Sequence, residues 1–134
     1  MNLKASVPKF WTARADCAYK AGRFDEALDS YQHAVRLDES DQHAWMGYAE
    51  TLLEKRKPEE ALDAYRQALE LDPESASTYF RQAKALLALG RADESIRALK
   101  TAFQLDPAKK DEFRQAYPGL YDNDRVRQLL DLDS

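Results

Sequence analysis

The sequence predicts an all-α fold, an α-solenoid of antiparallel helix pairs, and three observations lead to it. Large aromatic residues fall at Trp11, Trp45, Tyr79 and Phe113, each 34 residues after the last. Small residues keep the same ruler, at Ala15, Ala49 and Ala83, at Ala27, Ala61 and Ser95, and at Ala34, Ala68 and Ala102. The 134 residues include only 4 Gly and 5 Pro, and the rest is rich in helix formers, which argues against a sheet protein. A fixed period of this length means one supersecondary unit copied along the chain.

Residues 1–7 read as an N-terminal tail, and the first unit spans 8–41. Its helix A carries Trp11, Ala15 and Ala18 on one face and stops at Gly22. Helix B follows with Ala27, Leu28, Tyr31, Ala34, Val35 and Leu37 as its apolar stripe. Asp25 and Glu26 stand in its first turn, where the helix dipole favours acids. The second unit, 42–75, and the third, 76–107, repeat this pattern. Their B helices open on Glu59-Glu60 and Asp93-Glu94 and end before Asp72-Pro73 and Asp106-Pro107, where proline blocks propagation.

Residues 108–134 begin a fourth helix A and then abandon the pattern. Phe113 keeps the aromatic beat, but Tyr117 occupies the small-residue column and Pro118-Gly119 stops the helix. Lys109, Lys110, Asp111, Glu112, Arg114 and Gln115 give this helix the polar surface that a terminal repeat needs. A last short helix is expected from Asp124 to about Leu132, with Val126, Leu129 and Leu130 as its apolar stripe.

Size alternation sets the packing within each pair. Ala15 and Ala27 let two helix axes approach while Trp11 and Tyr31 fill the space beside them, and Trp45 is expected to be a costly residue to truncate. Net charge is −4 with both signs interleaved, so no basic stripe exists to neutralise phosphates and nucleic acid is not an expected partner. No apolar run approaches signal-peptide or membrane-span length, which points to a cytoplasmic chain with no membrane partner. A single cysteine, Cys17, rules out an internal disulfide framework.

The second unit carries a specific resemblance. Trp45, Ala49, Leu52, Ala61, Tyr65, Ala68 and Pro73 stand where the tetratricopeptide repeat has its aromatic, small and proline positions, and the chain resembles that family over residues 8–107. The resemblance implies a right-handed superhelix of three repeats plus capping helices. Departures are informative. Arg14 replaces the family's leucine, Ala18 a large residue and Glu39 the proline, so the first unit is expected to be looser. Arg56 replaces the turn glycine seen at Gly22 and Gly90, and that turn is expected to be built differently because a side chain is strained at positive φ.

Catalytic chemistry has little support. His33 and His43 lie on different helices without metal-ligand spacing, Cys17 has no histidine near it in sequence and reads as a buried small residue, and phosphate-binding glycine loops are absent. The expectation is no enzyme, no cofactor, no metal and no catalytic residue. In proteins this chain resembles, stacked helix A elements line a concave surface. That groove here comprises Lys9, Thr12, Asp16 and Tyr19 in the first unit and His43, Met46, Glu50 and Leu53 in the second, with Phe80, Arg81, Lys84 and Leu87 in the third. Its apolar members form a track suited to a peptide or amphipathic helix, or else support packing between units. Some family members clamp acidic chaperone tails at five positions occupied here by Thr12, Asp16, Gly47, Ser77 and Arg81. Only Arg81 matches, so clamp-type binding is not expected. The reading is a protein-interaction adaptor, with homodimerisation through the Val126, Leu129 and Leu130 stripe as its rival.

Overall fold

The computed structural model describes residues 7–133, so the expected N-terminal tail lies outside the described residues except for Val7. Among the described residues there are nine helices and no strand, as two compact units divided between Pro73 and Glu74. The first unit holds α1 (Pro8–Lys20), α2 (Phe24–Leu37), α3 (Gln42–Glu54) and α4 (Pro58–Leu71). The second holds α5 (Ala76–Ala88), α6 (Ala92–Leu105), α7 (Lys109–Ala116), α8 (Pro118–Asp122) and α9 (Asp124–Leu130).

Local chemistry explains the helix starts. Pro8, Pro58 and Pro118 open α1, α4 and α8, where the missing N–H has no intrahelical acceptor to lose. The side chains of Asp41, Ser75 and Asn123 accept hydrogen bonds from the backbone N–H groups of Ala44, Thr78 and Val126, capping α3, α5 and α9.

Within each pair, the small columns meet. Ala15, Ala27, Ala49 and Ala61 are fully buried, as is Ser95, and Ala83 is 1% exposed. The extra hydroxyl in the third repeat is satisfied across the helix pair: Ser95 Oγ donates to the Ala83 carbonyl at 3.2 Å. The rings of the 34-residue beat are buried unequally. Phe113 is fully buried, whereas Trp11, Trp45 and Tyr79 keep part of their surface in solvent. Phe113 is therefore expected to be costlier to truncate than Trp45. Leu37, Leu71 and Leu105 are 40–45% exposed, so that column keeps its phase without joining the core.

The turn at Arg56 corrects the expectation from sequence. It is built like the other two. Arg56 has φ +60°, beside +76° for Gly22 and +73° for Gly90. All three make the same closing hydrogen bonds: Arg23, Lys57 and Arg91 donate to the Ala18, Leu52 and Leu86 carbonyls at 2.8, 2.8 and 2.9 Å. The hydrogen bonds hold a side chain in a conformation that favours glycine by roughly 1 kcal/mol. Arg56→Gly is accordingly expected to stabilise the chain by about 1 kcal/mol, measured by urea unfolding. A neutral or destabilising result would mean the turn carries no strain.

The C-terminal segment adds a helix that the sequence did not suggest. Pro118 ends α7 and opens α8 at once, because proline is tolerated in a first turn. Phe113 is the centre of this region, with ring centroids 5.9 Å from Phe103, 5.9 Å from Tyr117 and 6.4 Å from Tyr121. Leu130 of α9 is 3% exposed and lines, with Phe103 of α6, a cavity of about 240 Å³ in its own unit. The apolar stripe of α9 thus covers its own molecule at Leu130, while Leu129 stays 38% exposed.

Candidate functional site

Two residue pairs join the expected binding face of α1 to that of α3. His43 Nε2 lies 3.0 Å from Asp16 Oδ2, and the Tyr19 hydroxyl donates to Glu54 Oε1 at 3.5 Å. The spacing of His43, Met46, Glu50, Leu53 and Glu54 places them along one side of α3, and Lys9, Asp16 and Tyr19 do the same on α1. Bridges at both ends make these two sides one surface. Tyr19, Met46 and Leu53 are partly exposed on it, flanked by the carboxylates of Asp16, Glu50 and Glu54 and by Lys9.

Asp16 is the junction of three helices. It accepts from the hydroxyl of Tyr31 on α2 as well as facing His43 on α3. Burial, and then the Asp16 carboxylate, hold the Tyr31 hydroxyl far above its ordinary pKa, so it remains a donor throughout the physiological range. The carboxylate receives both partners, and the tyrosine is not bonded to the histidine. The group ties helices together and does not form a nucleophile–base pair. Gly47 makes room for this arrangement: a Cβ there would overlap the outer ring atoms and hydroxyl of Tyr31.

Several residues differ from their sequence reading. Thr12 and Phe80, expected to line the groove, are buried at 9% and 7% exposed. The Thr12 hydroxyl instead donates to the Pro8 carbonyl at 3.2 Å. Cys17 is exposed rather than buried, because it lies off the face of α1 that holds Ala15 and Ala18. Arg14 has partners within the first repeat: its guanidinium carbon sits 5.6 Å from the Trp11 ring centroid and its Nε 3.4 Å from Glu26 Oε1. His33 stacks on Trp11 at 4.2 Å. In the second unit, Arg81 and Leu87 of α5 are partly exposed and Lys84 is exposed.

The first unit also has a cleft between α3 and α4 that the sequence reading passed over. Trp45, Tyr48, Glu60, Asp63, Ala64 and Gln67 line a cavity of about 320 Å³. The two rings stand edge to face, 6.2 Å apart at 74°. Their orientation is fixed from outside the cleft, with Trp45 Nε1 donating to the Glu39 carbonyl at 2.9 Å and Gln32 Nε2 to the Tyr48 hydroxyl at 3.1 Å. The available signal was a comparison of columns: Tyr48, Ala64 and Gln67 depart from their counterparts 34 positions earlier, Arg14, Ser30 and His33.

Among the described residues, no group of three or more His, Cys, Asp or Glu side chains is placed to hold a metal ion, and no helix is long and apolar enough to cross a membrane. No curated protein matches the chain. Solved structures do. The second tetratricopeptide domain of Spaghetti (RPAP3), bound to the HSP90 peptide SRMEEVD, is 23% identical with a TM-score of 0.71, covering 74% of this chain and 92% of that one. The Yersinia enterocolitica type III secretion chaperone SycD, in complex with a peptide of the translocator YopD, is 22% identical with a TM-score of 0.73, covering 92% and 89%. MamA is 18% identical with a TM-score of 0.80, covering 92% and 74%. These likenesses establish a shared fold. Two tetratricopeptide-repeat family models match residues 12–76 and 52–117, so that together they span 12–117, and the chain belongs to the tetratricopeptide-repeat family.

Proposed function

We propose that the chain is a non-enzymatic protein-interaction module that binds a peptide or helical segment of a partner on its helix A faces. The observation that carries this reading is the bridged α1–α3 surface. Tyr19, Met46 and Leu53 expose apolar area on it between Asp16, Glu50 and Glu54, the mixture of apolar contact and orienting charge that an amphipathic segment matches. Lys9 and His43 complete that face. In the second unit Arg81, Lys84 and Leu87 are proposed contacts of their own, and Phe80 and Thr12 support the faces from beneath.

The peptide complexes of SycD and of Spaghetti (RPAP3) favour a peptide-binding role for this fold. The partner proposed here differs from an acidic chaperone tail. Asp16 stands at a clamp position, where its charge would repel a carboxylate and where Tyr31 and His43 already engage it.

A Met46→Ala, Leu53→Ala double variant tests the reading. It is expected to keep the helical circular dichroism of the wild type and to lose at least about ten-fold in affinity for a partner captured by the wild type, measured by titration with the purified partner. Undiminished affinity in a folded variant would place the binding surface elsewhere.

A further inference from the structure

The cleft between α3 and α4 has a counterpart in the first repeat that is already filled. Moving its six lining residues back by 34 gives Trp11, Arg14, Glu26, Asp29, Ser30 and His33. There the Arg14 guanidinium lies over the Trp11 ring with Glu26 as its counter-charge, and His33 stacks on the same indole. In the second repeat Tyr48 stands in place of Arg14 and Gln67 in place of His33. The indole and the glutamate are retained, and the internal cation between them is missing.

The glutamate column supports the same conclusion independently. Glu26 has Arg14 at 3.4 Å and Arg23 at 3.9 Å, and Glu94 is held by both Nε and Nη2 of Arg91 at 2.9 and 2.7 Å. At Glu60 the corresponding residues are Tyr48 and Lys57, and no cation among the described residues lies within ion-pair distance of it. Asp63, the other acid of the cleft, already pairs with Arg66 at 3.0 Å. Glu60, which stands in the first turn of α4 where the helix dipole favours an acid, is therefore the acid of the cleft that has no cationic side chain within ion-pair distance among the described residues.

We infer that this cleft binds an arginine side chain supplied by a partner protein, with the guanidinium over Trp45 and paired to Glu60. A guanidinium suits the site better than an ammonium because its plane can lie on an indole while its edge donates to a carboxylate, and in the first repeat Arg14 reaches both partners, with its guanidinium carbon 5.6 Å from the Trp11 centroid and its Nε 3.4 Å from Glu26. The inference uses none of the α1–α3 face and stands whether or not that face binds a partner.

The chain contains 2 tryptophans, so an ¹⁵N-correlated NMR spectrum resolves one indole signal for Trp11 and one for Trp45. Titration with N-acetyl-arginine methylamide to tens of millimolar is expected to move the Trp45 indole signal in a saturating manner and leave Trp11 in place. The neutral citrulline analogue and the lysine analogue should produce markedly smaller shifts. Glu60→Gln is expected to weaken binding about five-fold. Tyr48→Arg, which restores the first-repeat arrangement, should abolish the titratable shift while the circular dichroism stays unchanged. Equal movement of both indoles, no saturating shift at Trp45, the same response to citrulline or lysine, or no effect of Glu60→Gln would overturn the inference. A Trp45 signal that moves on dilution of the protein alone would replace it with contact between copies of the chain.

Discussion

Phe113→Ala is expected to lower the free energy of unfolding by about 3–5 kcal/mol, the range for deleting a fully buried aromatic side chain. The ring is 0% exposed and has Phe103, Tyr117 and Tyr121 around it, on α6, at the end of α7 and on α8. Removing it leaves a cavity that those rings cannot all move to fill, since each is also held by its own backbone. The short helices α7, α8 and α9 are below the length at which helices persist alone, so they depend on this packing. Urea unfolding gives the total loss. Amide exchange should show protection falling first from residue 109 onward, while α1–α4 keep theirs. A cost below about 1 kcal/mol would show that the cap is not organised around this residue.

Gly47→Ala is expected to destabilise the chain by about 1–3 kcal/mol although alanine is the better helix former. The added methyl overlaps the Tyr31 ring, and that ring has little freedom to retreat. It is 3% exposed, and its hydroxyl is bonded to Asp16. A double-mutant cycle isolates the cause. In a Tyr31→Leu background the outer ring atoms and hydroxyl are gone, and the same Gly47→Ala change should become neutral or stabilising. Equal costs in both backgrounds would show that the steric account is mistaken.

How much of this molecule could be read from sequence depends on whether a property repeats. The helix pairs were legible because the alanine columns repeat their demand for close approach, and Ala15, Ala27, Ala49 and Ala61 are all buried as that demand requires. Properties of single copies were harder to see. Cys17 follows Asp16 and precedes Ala18, and one position of helical rotation separates solvent from core. Thr12 and Phe80 lie near the edge of the stripe, where the periodicity alone does not decide which side chains turn inward. Pro118 signals an end to one helix and equally permits the start of another, so α8 was not distinguishable from a turn. The cleft beside Trp45 was not legible because the family resemblance marks only one face of helix A for binding. The differences at Tyr48 and Gln67 were present in the aligned columns throughout.

The positive-φ turn at Arg56 separates what may change at a repeat corner from what may not. Its geometry depends on two amide-to-carbonyl bonds, Arg56 to Leu53 and Lys57 to Leu52, and neither involves a side chain. Replacing the residue leaves those bonds available and alters only the conformational strain. Deleting it is a different event. Loss of one residue would remove the left-handed position that the two bonds enclose, and α4 would have to meet α3 in another register. Ala61 would then leave its place opposite Ala49, with larger neighbours turned into the contact. At this corner the fold is tolerant of spelling and intolerant of length.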